Sequence, residues 1–391
     1  MHARTHYFYA AFYSSQFILL GIQLPFFSGW LAEKGISASD IGLLTGAALV
    51  ARLVFGPFVA YWSDHQPDER LSLRIMTFVF AASAAALLLP LGRPFLVAAA
   101  IGVMWSYGLL VPLTDTAVLA ADRAGRANFG QARAIGSFAF LATTILGGQV
   151  LTRFGLNASV SIMASSAAIA FFFSLVLPRL PARHSAAHGL SRREAVRLLA
   201  SPVFLASLAA SGLTQGAHAF YYAFSILDWT QVGYSPALIG ILWATGVIAE
   251  IFVLTRMRGI AGRLRPDILM AIGAGGAALR WTVMAFGPPL PLLFLVQTLH
   301  ACSFAAAYMG AVEFIDRAVP RRLVTTAMTL NSTAGVGAIT GLAMVAAGYL
   351  YEASGAFGGY LLMAGMAALG CLIAVALTRR WDGKVLFGTD G

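Results

Sequence analysis

Stretches of roughly twenty apolar residues follow one another along the whole of this chain, and no other feature narrows its fold as far. A helix rising about 1.5 Å per residue needs about 20 such residues to cross the ~30 Å hydrocarbon core of a bilayer. Turn signals and charges bound the stretches at 7–30, 39–62, 74–91, 95–119, 134–152, 157–178, 202–229, 237–256, 267–286, 291–315, 324–349 and 357–378. With 59% of its 391 residues hydrophobic and 11% charged, a soluble fold has too little polar surface to hide the rest. The expected fold is an all-α membrane protein of twelve transmembrane helices. The first stretch holds Gln16 and Gln23 and is too long for the apolar core of a signal peptide, so it reads as a retained helix. Cys302 and Cys371 both fall inside spans as small hydrophobes, and neither a disulfide, a metal site nor a cofactor is indicated.

The charges orient these helices. With the N-terminus in the cytoplasm, cytoplasmic segments hold 21 of the 26 Lys and Arg residues. Lys34, Arg93 and Arg153 lie on the opposite side, and Arg52 and Arg280 inside spans. Such an excess places both termini in the cytoplasm. It also accounts for the net charge of +10 without a nucleic-acid partner.

A repeat divides the chain. Gly35-Ile36-Ser37-Ala38-Ser39-Asp40-Ile41-Gly42 matches Gly233-Tyr234-Ser235-Pro236-Ala237-Leu238-Ile239-Gly240 at a constant offset of 198, and Asp122-Arg123-Ala124 echoes Asp316-Arg317-Ala318. A duplicated six-helix unit is the simplest account. The expected organisation is an N-terminal bundle over 1–178, a basic cytoplasmic linker over 179–201 and a C-terminal bundle over 202–391. Duplicated halves around a midplane site are a recurrent transporter design.

Several segments carry a family resemblance. The loop from Gly56 through Asp64 to Arg70 and Arg74 resembles the cytoplasmic loop motif of the major facilitator superfamily, without its usual second glycine. Phe129-Gly130-Gln131-Ala132-Arg133-Ala134-Ile135-Gly136-Ser137-Phe138, His218-Ala219-Phe220-Tyr221-Tyr222 and Gly246-Val247-Ile248-Ala249-Glu250-Ile251 resemble its phenylpropionate permease branch, itself similar to lactose and nucleoside proton symporters. The resemblance covers essentially the whole chain. It implies two pseudo-symmetric six-helix bundles working by alternating access in a bacterial inner membrane. Antiporters of the superfamily usually carry a Gly-Pro step in the fifth span; Gly147-Gly148 has no proline before it, which leans toward symport.

Polar groups within apolar spans need a partner, a wet cavity or a function, since a charge at the bilayer centre costs ~3 kcal/mol. Arg52 and Glu250 stand at equivalent positions of the repeat, 198 residues apart, and are expected to approach one another between the halves, as a structural ion pair or as a proton-driven gate. Gln215, His218, Tyr222 and Ser225 share one face of the seventh span, and Gln297, His300, Phe304 and Tyr308 one face of the tenth. These faces, with Tyr13 and Gln16 of the first span, are the candidate substrate contacts. Glu250, His218, His300 and Glu313 are the candidate proton carriers, although Glu313, at the inner end of the tenth span, reads first as solvated or paired with Arg317. Arg280 lies seven residues before Gly287 and is expected to snorkel to the outer interface, with a substrate carboxylate or an acidic neighbour as its partner in the other reading. Asp115 and Arg133 read as a cytoplasmic-side clasp, and Asp64 as part of the loop motif. Trp30, Trp62 and Trp229 near span ends read as an interfacial belt.

No metal-spaced His or Cys group, phosphate-cradling loop or paired carboxylate with a nucleophile stands out, so no catalytic residues are assigned. An aromatic cavity with few charges suits an amphipathic organic solute. The expected activity is proton-coupled symport of a small organic solute such as an aromatic carboxylic acid, by a monomer embedded in lipid. An exporter, a lipid flippase or a non-transporting sensor of the same fold are the alternatives.

Overall fold

Ser37 and Ser235 begin helices in the same way, and their surroundings show how the repeat is built. Each side chain accepts a hydrogen bond from the backbone N–H three residues on, Asp40 N at 3.2 Å and Leu238 N at 3.3 Å. Before each serine the previous helix ends on a glycine of positive φ, Gly35 at 78° and Gly233 at 91°, a conformation that side chains resist. The next N–H reaches back to a matching carbonyl, Ile36 to Leu31 and Tyr234 to Trp229. The sequence repeat is thus a repeated helix stop and start.

The computed structural model describes residues 2–66, 68, 70–90, 92–178, 192–256 and 264–387. The expected linker lies outside the described residues up to position 191, as does the Asp64 side chain. Every described element is helical. Six helices open the chain: α1 (His2–Glu33), α2 (Ala38–Asp64), α3 (Arg70–Ala86), α4 (Arg93–Arg123), α5 (Phe129–Phe154) and α6 (Asn157–Val176). A short helix α7 (Arg192–Leu199) precedes the seventh span, which is two pieces, α8 (Pro202–Gly216) and α9 (Ala219–Gln231). Then come α10 (Pro236–Arg256) and α11 (Pro266–Ala285). The tenth span is α12 (Leu290–Thr298), a π turn at Ala301–Ala306 and α13 (Ala307–Ala318). The eleventh is α14 (Val324–Leu330), a second π turn at Asn331–Gly337 and the start of α15 (Ala338–Arg380). Gly355, at φ 62° and ψ −153°, breaks α15, so that this one helix holds the rest of the eleventh span and the twelfth.

The chain divides into two compact units, Met1–Ala186 with Ser225–Ile241, and Ala187–Phe224 with Leu242–Gly391. In the first unit α1 packs on α5 and α6, and α3 on α4 and α6. Glycines set the spacing, as is usual where lipid supplies no hydrophobic drive between helices. The backbone at Gly21 meets the Phe140 carbonyl, and Gly148 and Gly240 meet the carbonyls of Pro236 and Thr144. Segment 225–241 is thereby fastened to α5, and Ala237 N adds a 2.9 Å bond to Thr152 Oγ1. Arg70 and Arg74 of the loop motif donate to Leu177, Ser174 and Leu175 carbonyls at the end of α6.

In the second unit α11 packs on α13 and α15, and α8 on α15. One end of it is closed by residues 381–387. Trp381 stacks edge-on against Phe314, Leu386 N donates to the Ala318 carbonyl, and Arg197 of α7 lies over the Phe387 ring. Arg265 donates to Asp267 and to the Trp381 carbonyl, and the bonds to Asp267 raise its pKa above the usual arginine value.

Trp30 and Trp229 depart from the expected interfacial belt, because both are buried in protein. Trp30 donates to Asn157 Oδ1 at 3.0 Å and stacks on Phe27. Trp62 is exposed.

Candidate functional site

His218 and His300, in the second unit, stand at interruptions of their helices. α8 ends at Gly216 and α9 starts at Ala219, with His218 in the gap; α12 ends at Thr298, and His300 immediately precedes the π turn. A break frees backbone carbonyls that apolar surroundings leave without partners. His218 Nδ1 donates to two carbonyls at this break, Thr214 O and Gln215 O, both at 3.2 Å. Gln215 Nε2 ties the end of α8 to the Phe304 carbonyl in the π turn at 3.2 Å.

Arg280 joins these elements. Its Nη1 donates to His300 Nδ1 at 2.9 Å and Ser303 Oγ at 3.3 Å, and its Nη2 to Gln297 Oε1 at 2.7 Å. The guanidinium lies over the rings of Tyr221 and Trp281, 4.8 and 4.4 Å from their centroids. Arginine has no acceptor, so His300 Nδ1 must accept and the imidazole proton sits on Nε2. That nitrogen faces Glu250 Oε2 at 3.4 Å. Carbonyls only accept, so His218 carries its proton on Nδ1 and receives the Ser303 hydroxyl at Nε2, 3.2 Å away. The two histidines are opposite neutral tautomers, arranged around one buried cation.

Glu250 reaches this cluster because Gly246, one turn earlier on the same face of α10, brings the helix close: a Cβ there would stand 3.2 Å from His300 Cβ. Rings line the surroundings. Tyr221 stacks on Trp243, Tyr222 and Trp281 flank His218, and Phe304 stacks on His300. Arg280, His218 and Gln297 are fully enclosed, while the Glu250 side chain is 20% exposed.

Of the sequence candidates, His218, Gln215, Tyr222, Glu250, Gln297 and His300 are brought together here. Arg280 does not snorkel: it is 0% exposed, held by three side-chain acceptors and two rings. Tyr308 is exposed and stacks on Phe304. Glu313 is at the surface in an ion pair with Arg317 at 2.6 Å. In the first unit, Arg133 Nη1 donates to Asp115 Oδ1 at 2.9 Å and to Tyr13 Oη at 2.7 Å. Gln16 is buried and exchanges hydrogen bonds with Thr114, and Arg52 lies against Gly108. Ser303, which links Arg280 to His218, was not singled out from the sequence; its one signal is that it follows His300 by three on the tenth span. No group of three metal-ligating side chains occurs among the described residues.

Comparison with known proteins fits this architecture. The model described as "MFS_1 like family" matches residues 6–362. The chain is 29% identical over 341 residues to the "Probable 3-phenylpropionic acid transporter" of Escherichia coli (strain K12), covering 87% of this chain and 89% of that protein. It is 24% identical to the maltose permease of Geobacillus stearothermophilus, covering 94% and 93%. Among solved structures, the nucleoside transporter NupG superposes with a TM-score of 0.76 at 19% identity, over 96% of this chain and 99% of NupG. A D-xylose-proton symporter superposes with a TM-score of 0.72 at 16% identity, over 98% of each chain. These two likenesses speak for the fold.

Proposed function

Because this chain belongs to the MFS_1 like family of major facilitator transporters, we propose that it is a proton-coupled symporter of a small organic acid, with aromatic carboxylic acids as the first substrate class. It is a secondary transporter and not an enzyme. The observation that carries the coupled reading is the line from Arg280 through His300 to Glu250. A buried cation fixes the tautomer of an imidazole, and the protonated nitrogen of that imidazole stands 3.4 Å from a partly exposed carboxylate. That line ends in a partly exposed group able to gain and lose a proton. The partly exposed rings of Tyr222 and Phe304 beside it, the first backed by the buried Trp243, offer apolar, π-rich surface to an aryl group. The name of the Escherichia coli relative supports the same class.

In this reading the solute and a proton bind from outside, the two bundles rearrange around them, and both leave to the cytoplasm, where the two termini also lie. The protein works as a monomer in the inner membrane. The test is uptake of labelled 3-phenylpropionate into proteoliposomes of the purified protein, with and without an inward proton gradient, against nucleosides and sugars as competitors. Gradient-dependent accumulation suppressed only by aromatic acids is the expected result. No uptake in vesicles of folded protein would replace this reading with efflux, lipid movement or sensing.

A further inference from the structure

Neither imidazole of the cluster offers a free lone pair. His300 Nδ1 is occupied by Arg280, and His218 Nε2 by Ser303. The cluster's open proton acceptor is therefore Glu250, whose carboxylate stands 3.4 Å from His300 Nε2 and whose side chain is partly exposed. Arg280 lies behind, enclosed, with its Nε unpartnered. At His300 Nε2–H, an arriving anion finds Glu250 already 3.4 Å away.

We propose that the Glu250 carboxylate holds the place of the substrate's own carboxylate, and that a proton and a monovalent organic anion enter by exchange at this position. The inference rests on the organic-acid reading above and extends it to the binding chemistry. Two carboxylates facing one donor at hydrogen-bond distance cannot both stay ionised. As the substrate oxygen accepts from His300 Nε2–H, Glu250 takes a proton from the aqueous phase and forms an O–H bond; no covalent bond of the substrate changes. On release the O–H bond of Glu250 breaks, the proton leaves to water, and Glu250 pairs with His300 again. The charge of the cluster is the same before and after, so one proton accompanies one anion and the membrane potential adds no drive.

The groups facing Glu250 are consistent with the exchange. His300 of the tenth span is its partner, Tyr222 of α9 stands within electrostatic reach, and Arg280 and His218 lie behind His300. Phe304, stacked on His300 at 5.2 Å and half-buried, provides a wall for the aryl part of a ligand whose carboxylate sits at the Glu250 position.

The experiment uses the full chain in lipid nanodiscs. Binding of 3-phenylpropionate is followed by tryptophan fluorescence between about pH 5 and 9, proton uptake by an indicator dye in weakly buffered solution, and 3-phenylpropionamide serves as the neutral isostere. The wild type is expected to take up about one proton per anion bound wherever Glu250 is ionised, with affinity falling about tenfold per pH unit there. The amide is expected to take up none. Glu250→Gln, which imitates the protonated acid, is expected to bind the anion with an affinity independent of pH and without proton uptake. Anion binding by the wild type with no proton uptake, or a Glu250→Gln variant that keeps the pH dependence, overturns the exchange while leaving the organic-acid reading intact. Absence of any anion binding by the wild type overturns both. If Glu250→Gln does not fold, the proton count of the wild type decides alone.

Discussion

Arg280 Nη1 donates to His300 Nδ1 at 2.9 Å, and this one bond puts the imidazole proton on the side of Glu250. Arg280→Gln removes a buried donor from His300, Ser303 and Gln297 at once, and is expected to destabilise the protein by about 3 kcal/mol. Arg280→Lys keeps the charge but not the fork that serves Gln297 and His300 together, and falls between the two. Thermal unfolding in detergent micelles measures both. A Gln variant as stable as the wild type would show that Arg280 does not organise the site.

Glu250 and Glu313 are both acids of the second unit, and their surroundings separate them. Glu250→Gln is expected to abolish gradient-driven accumulation while solute exchange continues, because a permanently neutral group binds solute without moving a proton. Accumulation by the wild type should rise as the outside pH falls, since the proton-bearing form of Glu250 is the one that admits an anion. Glu313 is in a surface pair with Arg317, so Glu313→Gln should change accumulation by no more than about twofold. Equal loss of exchange and accumulation in Glu250→Gln would remove Glu250 from the coupling step.

Ser37→Ala and Ser235→Ala each delete a helix N-cap of the same geometry. Each is expected to lower stability by about 1 kcal/mol, and the double variant by the sum, since the two caps share no partner. Unfolding midpoints that differ widely between the single variants would mean that the repeat is one of sequence without equivalent energetics.

Gly148 approaches the Pro236 carbonyl so closely that any Cβ must displace backbone. Gly148→Ala is expected to cost about 1–3 kcal/mol and to loosen segment 225–241 from α5. Faster proteolysis or cysteine labelling within that segment would report the loosening; unchanged labelling together with unchanged stability would refute it.

Much of this fold could be read from periodicity alone, because a bilayer fixes span length. The repeat was also legible, since Gly35 and Gly233, Ser37 and Ser235 hold backbone positions that few residues fill. The site was legible only in part. A polar stripe marks a helix face, which was enough to single out His218, Gln215, His300 and Gln297. It does not show that the helices break at those histidines, for no proline lies at 217–218 or at 299–300. Nor does it show what a long side chain reaches. Arg280 looked free to extend to the interface by its distance from Gly287, and its burial follows from acceptors on another helix. Trp30 misled for the same reason, its partner Asn157 being distant in sequence.

The π turn at Ala301–Ala306 is a helix that has absorbed one residue more than α geometry needs, and it comes directly after His300. Seen as history, such a turn is the trace of a one-residue insertion inside a membrane span. Everything after it on that helix is rotated by about 100° relative to an uninterrupted chain. A relative without the insertion would therefore align here only with a gap in the middle of the tenth span, and its counterpart of Tyr308 would be found one position earlier. The presence or absence of that gap is then a lineage marker for the histidine arrangement, readable in sequences whose structures have never been determined.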